Sequence, residues 1–211
     1  MFDLSRLRAP SRTVSLAAAL LAVIWLLMLN VGTGTADDDI YRALYAGGQP
    51  ALISIAYFFT TLGSGWVTVP AGVLAVAYLA WAGRKDAAIA TIIVLAVGRL
   101  LVDAQKYSIA RFRPSDELHL VPVSTPSFPS GHSANSMIVF LTLAIIFFGP
   151  TRWKYPAAAL AVLLSICVGV SRVMLGVHWP TDVIGGWTFG LLWVVLALPQ
   201  VERLAQPPDM R

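Results

Sequence analysis

Long apolar runs make up most of this chain, and their length restricts its fold more than any other feature does. Runs of roughly 17 to 22 apolar residues are long enough to cross the hydrocarbon core of a bilayer as α-helices. The composition agrees, because 57% of the 211 residues are hydrophobic and only 12% are charged, which is typical of membrane proteins. The sequence therefore predicts an all-α, polytopic integral membrane protein.

We predict six transmembrane helices, because layouts with four or seven helices account for the apolar runs less economically. Short interfacial helices are expected between the first and second spans. One begins at the acidic residues 37–39, and one covers residues 50–62, which are too few for a span and form an interfacial or re-entrant helix. No room is left for a soluble domain, so residues 1–211 are predicted to form one membrane-embedded domain. The predicted spans are residues 14–31, 66–81, 87–107, 134–148, 156–170 and 182–198.

The basic residues predict the orientation, since Lys and Arg concentrate in cytoplasmic loops. Arg6, Arg8 and Arg12 precede the first span, so both termini of a six-helix chain are expected in the cytoplasm. Nine of the fifteen Lys and Arg residues then fall on the cytoplasmic side. The loops at 108–130 and 171–181 share the other side, which faces the periplasm or exterior if the protein lies in the cell inner membrane.

The remaining features argue for a retained membrane anchor and against several classes of partner. Residues 34–36, Gly-Thr-Ala, could form a signal-peptidase site, but the preceding apolar run is longer than a usual signal core, so we expect the first helix to be retained.

Cys167 is the single cysteine, which leaves no disulfide framework and predicts core packing. The net charge of +4 suits topology and anionic headgroups, so no nucleic-acid partner is expected.

Three groups of polar residues are predicted to meet on the outer face. Prolines at 126 and 129 disfavour a helix upstream of Ser130, so a helix can begin only there, with unpaired N–H groups at Gly131 and His132. A helix start of this kind binds anions. The three groups are Lys106-x6-Arg113-Pro114, Pro129-Ser130-Gly131-His132 and Ser171-Arg172-x5-His178-x3-Asp182.

Side chains of these types are expected in a phosphate-binding site. Lys106, Arg113 and Arg172 would hold a tetrahedral dianion through ammonium and guanidinium donors. Contact with lipid headgroups explains any one of these cations, but it explains three together less well, because the positive-inside bias predicts few cations on the outer side. Two histidines with one nearby carboxylate and no thiolate form no evident metal-ligand cluster, so no metal or other cofactor is expected.

The histidines suggest covalent chemistry. A neutral His178 could attack phosphorus if Asp182 accepts the proton on its other ring nitrogen, and the spacing of the two residues allows this. Thr181 could cap the helix that follows. His132 would be the acid that protonates the departing alkoxide. His119 belongs to none of the groups and is expected to be a solvated loop residue.

The third predicted span also contains charged residues upstream of Lys106. Charges within a span are costly and are candidates for function. Arg99 and Asp103 are spaced i,i+4, so they lie on one helix face with Lys106. We expect Arg99 and Asp103 to form an intramembrane ion pair that supports Lys106.

Together the three groups resemble the three-part signature of the type 2 phosphatidic acid phosphatase superfamily, which includes membrane lipid phosphatases and soluble vanadium haloperoxidases. All three parts occur in the order and with the internal spacings of that family, within a core of about residues 87–198. The first 86 residues match only in general layout. Of Arg111 and Arg113, only Arg113 precedes proline and fits the motif.

The resemblance implies a metal-independent phosphatase with a six-helix core that works through a phosphohistidine. It implies that His178 is the nucleophile, Asp182 its orienting partner and His132 the leaving-group acid. Undecaprenyl pyrophosphate, phosphatidylglycerol phosphate and phosphatidic acid are the implied substrates, and the sequence does not choose among them. The residues implied to bind the phosphate are Lys106, Arg113, Ser130, Gly131 and Arg172.

Two other functions use the same residues. In a lipid phosphotransferase, an alcohol instead of water would take the phosphoryl group from His178. In a non-catalytic binding or transport protein, the basic outer pocket would only hold anionic lipid. The intact nucleophile and acid positions favour an enzyme, and the oligomeric state stays open.

Overall fold

The computed structural model describes residues 11–205, and the regular secondary structure in this range is all helical, with no strand. The predicted all-α class is therefore confirmed. A 3-10 turn, Asp116–Leu118, lies in the longest connection. The α-helices are α1 (Arg12–Val31), α2 (Thr35–Leu44), α3 (Pro50–Leu62), α4 (Gly65–Trp81), α5 (Lys85–Ile109), α6 (Gly131–Phe148), α7 (Lys154–Met174) and α8 (Pro180–Ala205).

Six stretches of the described chain are long and apolar enough to cross a membrane, as predicted. They are α1, the combined stretch Pro50–Trp81, α5, α6, α7 and residues Pro180–Ala197 of α8. Within the combined stretch, residues 63 and 64 separate α3 from α4, which is the predicted break. The interfacial position of α3 and the retention of the first helix stay predictions. Arg6 and Arg8, on which the predicted orientation partly rests, lie outside the described residues.

Helix α6 forms the centre of the bundle. It has buried side chains along its whole length, from Ala134 to Ile146, and α4, α5, α7 and α8 pack around it. Helix α1 packs against α8, and of its side chains only Ala18 is buried. Lipid tails are as apolar as a protein core. The exposed apolar side chains of α1 are therefore suited to contact with lipid.

Small residues let the helices around the site approach closely. A Cβ atom added at Gly186 of α8 would lie 2.7 Å from the carbonyl oxygen of Ser130, and one at Gly190 would lie 2.8 Å from that of Ala134. Between α7 and α8, the indole nitrogen of Trp187 on α8 donates to the carbonyl oxygen of Ser165 on α7 at 2.8 Å. The contacts at Gly186 and Gly190 bring the start of α6 against the start of α8.

A buried aspartate from α2 holds the start of α8. Asp37 Oδ1 accepts the backbone N–H of Thr181 at 2.9 Å, and its Oδ2 accepts the Thr181 hydroxyl at 2.6 Å. A carboxylate at a helix N-terminus compensates the unpaired N–H groups and the helix dipole. The prediction that Thr181 caps α8 was wrong, since Thr181 lies inside the first turn and donates its hydroxyl to Asp37.

Candidate active site

All of the predicted site residues meet at one end of the bundle. The cavity there has a volume of about 230 Å³ and lies where α5 and α7 end and α6 begins. Ser130 and Asp182 lie behind it, with no exposed surface. The predicted residues that line the cavity are Lys106, Arg113, Gly131, His132, Arg172 and His178.

The ring of His178 is fixed from behind by a carboxylate. His178 lies in the five-residue connection between α7 and α8, and Asp182 lies one turn later in α8. The Nδ1 atom of His178 is 3.4 Å from Asp182 Oδ2, so the predicted pairing of these two side chains is present. Asp182 Oδ2 also accepts the backbone N–H of Trp179 at 2.9 Å, which holds the carboxylate against the turn that carries His178.

Ser127 completes this arrangement, although its role was not predicted. Its hydroxyl donates to Asp182 Oδ2 at 2.5 Å and lies 3.3 Å from His178 Nδ1. Ser127 is fully buried. It lies in the proline-flanked stretch that the sequence singles out, but no spacing rule connects residue 127 with residue 182. A serine between two prolines was the signal that the sequence offered.

The two arginines of the 108–130 loop have separate partners. Arg111 Nη1 donates to Asp182 Oδ1 at 3.0 Å, whereas Arg113 Nη1 lies 3.2 Å from His178 Nε2. Arg113 also donates to the carbonyl oxygens of Val177 and Thr125 at 2.5 and 2.8 Å. Arg113 thus joins the two loops across the cavity, as its place in the motif suggests, and Arg111 has an unpredicted contact on the far side of Asp182.

This environment lowers the pKa of His178 in two ways. Burial lowers the pKa of His178 well below its ordinary value of 6.5, and the Arg113 cation lowers it further, because both effects disfavour a second positive charge. Burial likewise lowers the pKa of Arg113. The imidazole of His178 is therefore neutral at physiological pH.

The other two cations approach the cavity from α5 and α7. Lys106 Nζ donates to the carbonyl oxygens of Pro126 and Ser127 at 2.7 and 3.4 Å. Arg172 Nη1 donates to the hydroxyl of Thr60 at 2.6 Å, which was another unpredicted partner. The Nε atom of Arg172 is buried and has no hydrogen-bond partner in the described chain. A buried unpaired donor is costly, so an anion in the cavity would satisfy this group.

Helix α6 begins at Gly131, where the prolines predict it. Ser130 occupies the N-cap position, but its side chain caps no N–H group and accepts a hydrogen bond from Ser133 at 2.9 Å instead. The side chain of Lys106 passes close to Gly131, because an added Cβ there would lie 3.3 Å from Lys106 Cε. The first N–H groups of α6 and the ammonium group therefore lie close together at the same cavity.

Two predictions about charged and polar side chains were wrong. Arg99 and Asp103 form no ion pair within 4 Å in the described chain, and both line the cavity instead. His119 is not solvated, since its side chain is 10% exposed and Nε2 lies 3.2 Å from the carbonyl oxygen of Pro114. As expected, His119 does not line the site.

Two further features bear on what the site can hold. Among residues 11–205, no three His, Cys, Asp or Glu side chains come close enough to hold a metal ion. A second cavity of about 520 Å³ lies between α4, α5 and α6 and has an almost wholly apolar lining. The polar and apolar cavities have three lining residues in common: Thr68, Arg99 and Asn135.

Comparison with known proteins relates this arrangement to one family. The family model described as PAP2 superfamily matches residues 87–206. Phosphatidylglycerophosphatase B of Bacillus subtilis (strain 168) is 34% identical over 174 residues, which cover 81% of this chain and 85% of that protein. An undecaprenyl-diphosphatase of Sulfolobus acidocaldarius is 29% identical over 169 residues, which cover 78% of this chain and 77% of the relative.

A solved structure agrees with the sequence comparisons. The crystal structure of a transmembrane PAP2 type phosphatidylglycerolphosphate phosphatase from Bacillus subtilis superimposes with a TM-score of 0.80 at 31% identity. The match covers 89% of this chain and 96% of that one. The likeness therefore includes the first helices, which lie outside the residues that match the family model.

Proposed function

The chain belongs to the PAP2 superfamily, and on that premise we propose that it removes a phosphate from a membrane lipid phosphate or diphosphate through a phosphohistidine at His178. The observation that carries this proposal is the setting of the His178 ring. Its Nδ1 faces Asp182, and its Nε2 lies beside Arg113 in a cavity that Lys106 and Arg172 also line. A neutral imidazole with one nitrogen oriented by a carboxylate and the other facing cations suits attack on a phosphate.

In the first step, Nε2 of His178 attacks phosphorus. A P–N bond forms while the P–O bond to the lipid breaks, and Asp182 stabilises the imidazolium through Nδ1–H. The departing oxygen keeps the electron pair and takes a proton from His132. The residues that hold the phosphoryl oxygens as charge develops on them are Lys106, Arg113, Gly131 and Arg172, which line the cavity. Ser130 lies behind them with no exposed surface, so it supports the start of α6, where it accepts the hydroxyl of Ser133.

In the second step, water releases the phosphate. His132, now neutral, accepts a proton from water as its oxygen attacks phosphorus. The P–N bond breaks, and the electron pair returns to Nε2, so inorganic phosphate leaves and His178 is neutral again. His132 serves first as acid and then as base. No step in this sequence needs a metal ion.

A lipid substrate is supported by the second cavity. Its apolar lining from α4, α5 and α6 suits an acyl or prenyl chain, and it adjoins the polar cavity that would take the headgroup. Relatives named for phosphatidylglycerophosphate and undecaprenyl diphosphate support the same class, and phosphatidic acid is the third candidate.

The proposed location is the outer face of the cell inner membrane. The turns that carry Arg84, Lys85, Arg152 and Lys154 lie at the helix ends opposite to the site, and basic turns favour the cytoplasm. Substrate headgroups would then reach the site from the periplasm or exterior while their chains remain in the bilayer.

The test is phosphate release by detergent-purified protein in EDTA, measured in parallel on undecaprenyl diphosphate, phosphatidylglycerophosphate and phosphatidic acid. We expect release from at least one lipid, and none from the His178→Ala variant, which should still purify as a folded protein. Turnover by His178→Ala near the wild-type rate, or a strict need for Mg²⁺, would overturn the mechanism. An added alcohol that diverts the phosphate into a new ester would instead identify a phosphotransferase.

A further inference from the structure

Arg99 is a cation inside a predicted span, and its side chain has no partner among the described residues. It is exposed on α5, and it makes no hydrogen bond or ion pair with any residue between 11 and 205. The acidic side chain one turn later, Asp103, does not approach it within 4 Å. A charged side chain within a helix that can span the membrane is costly unless it faces water, an opposite charge or a ligand, so the position of Arg99 calls for a functional explanation.

Arg99 lies where the polar and apolar cavities meet. It lines the polar cavity together with His178 and Lys106, and it also lines the apolar cavity. On α5 it precedes Lys106 by seven residues, about two turns on the same helix face. A lipid that extends from His178 into the apolar cavity therefore passes Arg99 after its scissile phosphate and before its hydrocarbon chain.

We propose that Arg99 binds a second phosphate of the substrate, located between the scissile phosphate and the apolar chain. This inference rests on the proposed phosphatase function and narrows its substrate class. A guanidinium group suits a phosphate, because its planar donors can bind two oxygens at once. Two lipid classes carry such a phosphate: a prenyl diphosphate, and a phospholipid whose phosphodiester precedes a terminal phosphate.

The charges around Arg99 are consistent with this role. The polar cavity is lined by the cations Arg99, Lys106, Arg113 and Arg172, and Asp103 is its single carboxylate among the described lining residues. One phosphate bound at His178 accounts for the last three cations, since Arg113 lies beside the His178 ring and Lys106 and Arg172 line the same cavity. Arg99 and the junction of the cavities remain for another anionic group.

The experiment compares substrates that have the same hydrocarbon chain but carry either two phosphates or one. Farnesyl diphosphate is paired with farnesyl monophosphate, and phosphatidylglycerophosphate with phosphatidic acid of the same acyl chains. In Arg99→Gln, kcat/KM for a two-phosphate substrate should fall about 10- to 100-fold, since a hydrogen bond to a charged group has about that effect. The lower kcat/KM should come mainly from a higher KM. The decrease in kcat/KM for the one-phosphate substrate of the same pair should be at least about tenfold smaller.

The controls are Arg152→Gln and Asp103→Asn. Arg152 lies in the turn at the other end of the bundle, so its removal tests the loss of a positive charge as such. Asp103→Asn removes the carboxylate near the proposed phosphate, so it should lower KM for the two-phosphate substrate. A fall restricted to farnesyl diphosphate or to phosphatidylglycerophosphate would identify the lipid class.

Equal losses on both members of each pair, or no loss on either two-phosphate substrate, would overturn the proposal. A binding measurement separates this result from a failure of the catalytic mechanism. In the His178→Ala background, Arg99→Gln should weaken binding of farnesyl diphosphate about 10- to 100-fold and binding of farnesyl monophosphate much less. That comparison needs no turnover, so it tests Arg99 even if His178 proves not to be the nucleophile.

Discussion

Arg111 Nη1 lies 3.0 Å from Asp182 Oδ1, and this buried ion pair connects the carboxylate behind His178 with the first helix. The other terminal nitrogen of Arg111 donates to the backbone carbonyls of Met28 and Leu29 at 2.9 and 2.7 Å. Because those carbonyls lie at the C-terminal end of α1, the negative end of the helix dipole also faces the guanidinium group. Arg111 therefore positions Asp182 from the side opposite to His178.

We expect Arg111→Gln to lower kcat on the order of 10- to 100-fold with little change in KM, since a displacement of about 1 Å in a positioned group can have that effect. Phosphate release gives both constants, and the rate of phosphorylation of His178 should fall in parallel. Arg42→Gln is the matched control, because Arg42 pairs with Asp38 on the surface with 75% of its side chain exposed, where ion pairs contribute little. A change in KM alone would contradict the positioning role.

The role of His132 predicts a dependence on the leaving group. His132→Ala should lower the hydrolysis of lipid substrates about 10²- to 10⁴-fold, because an alkoxide needs a proton as it leaves. An aryl phosphate such as p-nitrophenyl phosphate has a leaving group that needs no acid, so it should still phosphorylate His178. The phosphohistidine should then accumulate, and acid-labile labelled protein measures it. Equal loss of phosphorylation from lipid and aryl substrates would show that His132 has another role.

The buried position of His178 predicts its titration. Because burial and Arg113 lower the pKa of His178 well below 6.5, its ring should stay neutral as the pH falls through that value. The chain has three histidines, so ring resonances in NMR spectra can be assigned with His178→Ala. Arg113→Gln removes a cation and should raise the pKa of His178. A His178 resonance that titrates near 6.5 in the wild-type protein would contradict the buried, cation-flanked environment.

The contact between α6 and α8 predicts a strict need for glycine at position 186. The Cβ of Gly186→Ala would lie 2.7 Å from the carbonyl oxygen of Ser130 and 2.8 Å from Ser133 Cβ, so the start of α6 must move. We expect lower thermal stability, by about 1–3 kcal/mol as for other overpacked sites, and lower activity. Gly34→Ala is the control, because its nearest neighbour would lie 3.7 Å away. Equal stability of the two variants would show that α6 can shift without cost.

Much of the fold follows from local features of the sequence. The apolar runs, the glycine break at 63–65 and the prolines before Ser130 gave six spans and the start of α6 correctly, because span length and helix breaking depend on neighbouring residues alone. The spacing of His178 and Asp182 likewise gave their pairing, since both lie within one turn of the start of α8.

Contacts between distant segments could not be derived in this way. Ser127 reaches Asp182, Thr60 reaches Arg172, and Asp37 holds Thr181, although at least 55 residues separate the members of each pair. Polar residues of these types occur in many loops and helix ends, so the residue type alone does not predict which distant residue it will contact. The i,i+4 spacing also misled, because Arg99 and Asp103 lie on one face of α5 but do not pair with each other.

The sequence by itself determined that the chain is a helical membrane protein and which side chains gather at one end of it. Both properties depend on the length of the apolar runs, on the residues that break helices, and on the fact that successive spans cross the membrane in opposite directions. Only the tertiary structure decided that Arg111 contacts Asp182 while Arg113 contacts His178. It also decided that Arg99 lies where two cavities meet, without a partner in the part of the chain that the structure describes. These arrangements depend on how helices distant in the chain pack together, and a local pattern carries no information about that packing.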